Sequence, residues 1–452
     1  MKEPLVVLLV FCIAGCNANL PTSSPASSAP AIPESTQTPS PNSFLNVSNT
    51  PTVFSEATQK QILITETPHP SPPTSIPSST ERVNLPLKPG QRLDIISIQM
   101  IDSQNGWGFE SDYHILRTRN GGKTWQDVTP PTGYYTRAGF FAWDTDTAWA
   151  TFSLWSYSNP ETAYVWRTDD GGETWKPSQP FRLDIDRDGN DNPSEYYQPY
   201  MMQFIDQHTG WLLVDVYSGM NSTRPLLFQT TDGGENWITI NDHYHDLNYA
   251  IGAGFAFIDH ETGWYGQNNI PIKMAIDRSD DIISAGGWKL IKTHDGGRSF
   301  MDFTLLPLPS ELQLSEFAGQ EADCGETRML TIAPRVIGVE WNCMIDPLAR
   351  YRFFALSANG GETWNSWLAS GNEFFLDGQY GWRLLSPGQL QQTKDSGSNW
   401  TTIKSVTWEN AQFDFISDQE GWAIVSSGNV SALVYTTNGG HTWSEIMPVI
   451  EP

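Results

Sequence analysis

The residues best spaced for chemistry lie in one acidic run, Asp184-Ile-Asp186-Arg-Asp188-Gly189-Asn190-Asp191-Asn192-Pro-Ser-Glu195. It fits the calcium-loop spacing D-x-D-x-D-G-x5-E, in which alternate side chains put hard oxygens on one side of a tight turn. Asp184, Asp186, Asp188 and Asn190 would be ligands, Gly189 would allow the turn, and Glu195 would close the site with both oxygens. Pro193 and strand-like flanks argue against paired helices, so the expectation is an isolated loop holding a structural Ca2+. The alternative is a solvated acidic turn. Asp242-His243-Tyr244-His245-Asp246 offers a weaker metal-binding pair. No H-E-x-x-H, G-x-S-x-G, C-x-x-C or phosphate-loop motif occurs, which leaves no recognisable catalytic set; were the chain an enzyme, its many carboxylates would suit a glycosidase.

The elements that position these residues repeat. The pattern S/T-x-D/N-x-G-x-T/S/N-W occurs seven times, at Thr118–Trp125, Thr168–Trp175, Thr230–Trp237, Thr293–Phe300 (with Phe for Trp), Ser357–Trp364, Thr393–Trp400 and Thr436–Trp443. Its third position is Asn120, Asp170, Asp232, Asp295, Asn359, Asp395 or Asn438. An Asp or Asn there can accept backbone N–H groups two residues on, and Gly supplies positive φ, so the motif reads as a structural hairpin turn. A second motif alternates with it: an apolar strand, an Asp or other polar residue, a short turn, then Gly-Trp, as in Phe204-Ile-Asp206 to Gly210-Trp211. The copy at Trp149 has Ala148 for Gly, and the fifth unit lacks the motif. Each unit therefore predicts four antiparallel strands, A to D. Such a unit cannot bury both faces alone and must stack around an axis. The expected fold is all-β: one seven-bladed β-propeller of four-stranded antiparallel blades over 86–452, with the first strand near Ile95.

Residues 1–15 read as a lipoprotein signal peptide. Lys2 precedes a short apolar stretch, Leu5 to Ile13, which is too short to span a bilayer and ends in Ile13-Ala14-Gly15-Cys16. That run resembles the lipobox of bacterial lipoproteins, which implies lipidation at Cys16. Residues 16–85 are rich in Pro, Ser and Thr and read as a disordered tether with a reach of ~45 Å. The expected localisation is the extracytoplasmic side of a cell membrane. Export also favours a disulfide between Cys324 and Cys343, which bracket a hairpin centred on Ala333-Pro334.

The net charge of −25, with 51 acidic against 26 basic residues, argues against a nucleic-acid partner, because neutralising phosphates takes Lys and Arg. Long insertions gather at the ends of the strands away from the two motifs, at 154–163, 176–199, 215–225, 240–252, 267–287 and 305–327. They carry Trp155, Tyr157, Tyr196, Tyr197, Tyr217, Tyr244 and Tyr249 among carboxylates. Aromatic residues with carboxylates suit a protein or glycan, so this loop-rich side is the expected binding face of a monomer. Loops packing on one another is the alternative.

The seven boxes resemble the Asp box of BNR-repeat propellers. With the alternating Gly-Trp motif, they resemble the photosystem II stability/assembly factor family over about 90–452. The resemblance implies a seven-bladed, non-catalytic assembly scaffold that binds a membrane-protein partner. The family's basic surface patch is not evident in so acidic a chain, and the long insertions are a departure. A glycan-binding or glycoside-hydrolase-like lipoprotein using the loop-rich face is the other reading. The Asp boxes are also similar to those of sialidases, but the Arg-Ile-Pro motif of that family is absent.

Overall fold

The computed structural model describes residues 86–452, apart from 112, 132–136, 154–161, 191–195, 218–222, 243–244, 248–253, 267–271, 274–287, 308, 310–320, 347–348 and 370. Cys16, the signal peptide and the tether lie outside the described residues. The rest is an all-β, seven-bladed propeller of antiparallel blades in chain order. Strands A to D of blade one are Ile95–Met100, Gly106–Glu110, Ile115–Thr118 and Thr124–Asp127. Blade two has Arg137–Ala142, Ala148–Ser153, Val165–Thr168 and Lys176–Pro177. Blade three has Tyr196–Phe204, Gly210–Tyr217, Thr223–Thr230 and Ile238–Asp242. Blade four has Phe255–Phe257, Gly263–Gly266, Trp288–Thr293 and Asp302–Leu306. Blade five is the tallest, with Glu321–Ala333, Val336–Asp346, Ala349–Ser357 and Asn365–Leu368. Blade six has Glu373–Phe375, Gly381–Leu385, Gln389–Thr393 and Thr401–Ser405. Blade seven has Asn410–Phe415, Gly421–Ser427, Val430–Thr436 and Ser444–Ile446.

The turn chemistry is uniform. In all seven Asp boxes the third-position Asp or Asn Oδ1 accepts the backbone N–H four residues on, at 2.8–3.0 Å. The reach is four residues, not the two expected from sequence, because the opening hydroxyl occupies the inside of the turn. That hydroxyl accepts the fifth-position Gly N–H at 2.8–3.1 Å. The A–B turns use the shorter reach: Asp102, Asp144, Asp206, Asp259 and Asp377 each accept N–H groups two and three residues on. The two turns of each blade are joined by one backbone bond, such as Gly233 N to His208 O at 2.8 Å, which sets them side by side.

The Gly-Trp pair joins blades. Trp149, Trp211, Trp382 and Trp422 each donate the indole N–H to the first Gly carbonyl of the following blade's Asp box, at 2.8, 2.8, 2.9 and 3.1 Å. Three of these indoles also stack on the Phe that ends the next blade's strand A: Trp149 on Phe204, Trp211 on Phe257 and Trp382 on Phe415. The Gly before Trp211, Trp264 or Trp422 is fixed by the Phe that ends strand A of its own blade. A Cβ on Gly210, Gly263 or Gly421 would meet the Phe ring opposite it at 2.6, 2.5 or 2.4 Å. In blade two the residue opposite is the small Ala142, and there Ala148 takes the glycine's place.

The ring closes at blade one. Trp422 of blade seven binds Gly121 of blade one. Val449–Ile450 then runs parallel to strand D of blade one, and Arg92 bridges to Val449 on its other side. Near the axis, one position in strand A clasps neighbouring blades. Gln203 donates to Phe257 O at 2.7 Å and accepts Phe257 N–H at 2.9 Å, and Gln99 reaches Ala142 O at 3.3 Å. At the closing seam this position is Asp414, which accepts the Met100 N–H.

Two outcomes follow from this packing. Gly210→Ala must push the Phe204 ring aside and should cost ~1–3 kcal/mol in urea unfolding, whereas Ala148→Gly should cost ~1 kcal/mol or less. Asp414 is fully buried, and desolvation lifts its carboxyl to about 7 against the Met100 hydrogen bond, which lowers it. The folded state therefore holds this proton more tightly than the unfolded chain. Stability contributed by Asp414 should fall as pH rises from about 4 to about 7, by a few kcal/mol at most, and then level off. Asp414→Asn should remove that part of the slope, read as the difference between the two urea-midpoint profiles.

Candidate functional site

Blade five stands taller than the blades after it. Its first three strands run for 13, 11 and 9 residues, while those of blade six have 3, 5 and 5. The face of blade five toward blade six begins apolar, with Leu330, Ile332, Phe354, Leu356 and Trp367 packed around Phe375. Further along the same strands it turns polar, to Arg328, Glu340, Asn342, Met344, Arg350 and Arg352. These are cross-strand or alternate positions: Arg328 lies opposite Glu340, Asn342 opposite Arg352 and Met344 opposite Arg350. The side chains of Arg328 and Arg352 are 49% and 32% exposed, Met344 is 39% exposed, and Arg350 is exposed.

A hydrogen-bonded chain runs from this face across the next two blades. Arg352 Nε donates to Glu340 Oε1, whose other oxygen lies 3.9 Å from Arg328 Nη1. Arg352 Nη1 donates to Asn372 Oδ1 at 3.2 Å, and Asn372 Nδ2 donates to Asn410 Oδ1 at 2.6 Å. Below it, the buried Glu373 accepts the Trp367 indole N–H at 2.7 Å and faces Arg383 at 3.5 Å. The Arg383 guanidinium lies over the Trp400 ring at 4.2 Å. Desolvation pushes the Glu373 carboxyl up to about 7, against Arg383 and the Trp367 hydrogen bond, which lower it. Arg328, Arg350, Arg352 and Arg383 thus accompany Glu340 and Glu373 among the described side chains, and the register sets Asp323 opposite Met344 on the same sheet. Glu340 and Glu373 face guanidinium groups, an arrangement suited to holding arginines in fixed positions.

The sequence offered no motif for this cluster. Its signals were weak: the missing Gly-Trp in the fifth unit and the i, i+2 spacing of Arg350 and Arg352, which puts both on one face of a strand.

The aromatic face expected from sequence is placed differently. Trp155, Tyr157, Tyr244 and Tyr249 lie outside the described residues. Tyr196 begins strand A of blade three. Tyr197 is 2% exposed and donates its hydroxyl to Phe152 O at 2.8 Å; burial pushes its phenol up. Tyr217 is half-buried and its hydroxyl lies 3.3 Å from Gln198 Oε1. The described part of insertion 176–199 covers the outer strands of blade three. Phe181 packs on Phe228 and Trp237, Leu183 is buried, and Phe181–Arg182 pairs with Thr162–Ala163. Apolar residues at alternate positions 181 and 183 explain why this loop is a cover rather than an open platform.

In the acidic loop, Asp184 is held by Arg182 through two hydrogen bonds of 2.8 and 2.6 Å. Asp186 accepts the Asn190 backbone and side-chain N–H groups. Glu195 lies outside the described residues. Among the described residues no three His, Cys, Asp or Glu side chains are gathered about one point. Cys324 lies directly opposite Cys343 in the register of blade five.

No family model matches the chain, and no curated protein matches it. Solved structures do. YCF48 bound to a D1 peptide is 16% identical over 78% of this chain and 98% of its own, with a TM-score of 0.43. YCF48 from Cyanidioschyzon merolae is 15% identical over 78% and 97%, with a TM-score of 0.41. A GH74 enzyme from Niastella koreensis is 11% identical over 76% and 61%, with a TM-score of 0.28.

The cluster separates a supporting arginine from a free-standing position on the same strand. Arg352→Ala strips Glu340 and Asn372 of a donor and should cost ~1–3 kcal/mol in urea unfolding. Arg350→Ala, at an exposed position, should stay within ~0.5 kcal/mol.

Proposed function

We propose that this chain is a non-catalytic binding scaffold whose working surface is the projecting face of blade five. Its partner is a protein of the cell envelope, held near the scaffold by a lipid on Cys16 and the tether 16–85. The observation that carries the reading is the set Arg328, Arg350 and Arg352 with Asn342 and Met344, on a sheet face that outreaches blade six. The strand lengths that give this overhang are 11 residues in strand B of blade five against 5 in that of blade six. A rigid, partly exposed sheet with fixed guanidinium groups and a flexible Met at its edge suits a protein surface that presents carboxylates beside an apolar side chain. The facing pair Cys324 and Cys343 is proposed as a disulfide that ties the two longest strands beneath that surface.

The test places a photo-crosslinking amino acid at Met344 of the full-length chain, with a second variant carrying it at Lys404 on blade six as the control. Crosslinking from position 344 to one membrane protein is expected. It should fall at least ~10-fold in the charge reversal Arg328→Glu/Arg350→Glu and weaken with salt. Equal crosslinking from both sites, or none at 344 together with retention of the chain on polysaccharide, would overturn the reading in favour of a glycan ligand.

A further inference from the structure

One seam of the ring is clasped by a carboxyl group where another uses an amide. Gln203 and Asp414 hold the same place: each precedes the Phe that ends strand A and lies opposite the Trp of strand B. Gln203 donates Nε2 to Phe257 O at 2.7 Å and accepts the Phe257 N–H on Oε1 at 2.9 Å. Both backbone groups of one residue in the next blade are thereby engaged. Asp414 meets Met100, which ends strand A of blade one as Phe257 ends that of blade four. Its Oδ2 accepts the Met100 N–H. An antiparallel strand turns the N–H and C=O of one residue to the same side, so the Met100 carbonyl also faces blade seven.

A carboxylate has no donor for that carbonyl. A neutral carboxyl has one O–H and keeps an acceptor, the same pair that an amide offers. The surroundings favour the neutral form. Asp414 is buried, and the strands against it, Ile95–Met100 of blade one and Gly421–Ser427 of blade seven, contain no charged residue. In the neighbouring blade six, Glu373 and Arg383 face each other at 3.5 Å. In the adjoining turns, Asp102 accepts N–H groups of its own turn, Asp418 accepts the Gln419 amide and Glu420 accepts the Tyr435 hydroxyl. Among the described residues no cation pairs with Asp414. Burial lifts its carboxyl to about 7, against the Met100 hydrogen bond, which lowers it.

We propose that Asp414 is a proton-operated latch on the closing seam, clasping both backbone groups of Met100 in its neutral form and loosening blade one from blade seven when it ionises. The Trp422–Gly121 bond and the Gln412–Ser97 bond of 3.1 Å cross the same seam and loosen with it. An ionised Asp414 sets a carboxylate oxygen beside a carbonyl oxygen in a dry site, which favours openings that let water reach it. In the open seam the carboxyl regains its ordinary value of about 3.9. Opening therefore becomes rarer as pH falls from about 7 to about 4, by up to ~10-fold per pH unit, and is indifferent to pH above about 7. The seam between blades three and four, clasped by an amide at the same position, has no such dependence. The proton-linked stability of the fold is thereby located at one seam.

The experiment follows hydrogen exchange of the full-length chain by mass spectrometry between about pH 5 and pH 8, with each amide corrected for its intrinsic rate. Protection of peptides covering Ile95–Met100 and the blade-one box Thr118–Trp125 should rise by up to ~10-fold per unit as pH falls from about 7 to about 5. Protection of Phe255–Gly266, at the amide-clasped seam, should stay flat. Asp414→Asn keeps a donor and an acceptor but cannot ionise, and should flatten the blade-one profile. Gln203→Glu should create the same dependence at Phe255–Gly266, and it tests the latch even if Asp414→Asn does not fold. The proposal is overturned by blade-one protection that ignores pH in the wild-type chain, by an unchanged slope in Asp414→Asn, or by a flat profile in Gln203→Glu. Equal slopes at both seams of the wild-type chain would overturn it too, since they mark global unfolding rather than opening at one seam.

Discussion

The structure depends on one hydrogen bond made at four of its seams, from an indole N–H of one blade to an Asp-box glycine carbonyl of the next. The bond needs a carbonyl held at a fixed height, and the Asp box provides it by satisfying its own turn from within. It also needs an indole held flat at the blade interface, and the Phe that ends the next blade's strand A supplies that surface. Glycine precedes the indole in blades three, four, six and seven because the Phe ending strand A of the same blade leaves no room for a Cβ opposite it. Box, Phe, Gly and Trp are therefore one device spread over two blades. The same bond runs from Trp422 to Gly121 across the closing seam, beside the added strand Val449–Ile450.

This device explains how much of the fold was legible. Its parts are turn residues and large aromatics at fixed spacing, which are visible in a sequence because local geometry demands them. The exceptions are equally physical. Ala148 stands where glycine is usual because its partner is Ala142. Ser396 holds a glycine's position at a φ of +61°, and its hydroxyl answers by bonding the Gly378 carbonyl. The closing strand was not legible: Val449–Ile450 is only two residues, too short to carry a period. The polar face of blade five escaped for a different reason. It is assembled from three strands of blade five and its partners Asn372 and Asn410 lie further along the chain, so its residues are close only after folding.

The acidity of the chain also reads differently in three dimensions. Asp102, Asp144, Asp206, Asp259 and Asp377 serve the A–B turns, and Asp170, Asp232, Asp295 and Asp395 serve the boxes. Burial alone would raise Asp232, but hydrogen bonds from Asn236 and Thr230 hold it below its usual range. Asp170 is held low chiefly by Thr174. These carboxylates are ionised because backbone N–H groups need acceptors. A part of the negative charge is thus a by-product of turn construction and says nothing about a cationic partner. The exposed face of blade five carries Arg328, Arg350 and Arg352 beside Glu340.

That cluster lies where the repeat breaks. In blade five the register position of the indole in strand B is held by Gly338 and that of the preceding glycine by Ile337, and the A–B turn is built by Ala333, Pro334 and Arg335, with Arg335 at a φ of +63°. Contact with blade six is made instead by Trp367 below and by the Arg352, Asn372 and Asn410 chain above. The extra length emerges as a sheet face on which Arg352 is already held by Glu340 and Asn372. A scaffold made of similar units acquires a distinct surface at a unit that departs from the pattern, and binding there draws on the rigidity of the ring.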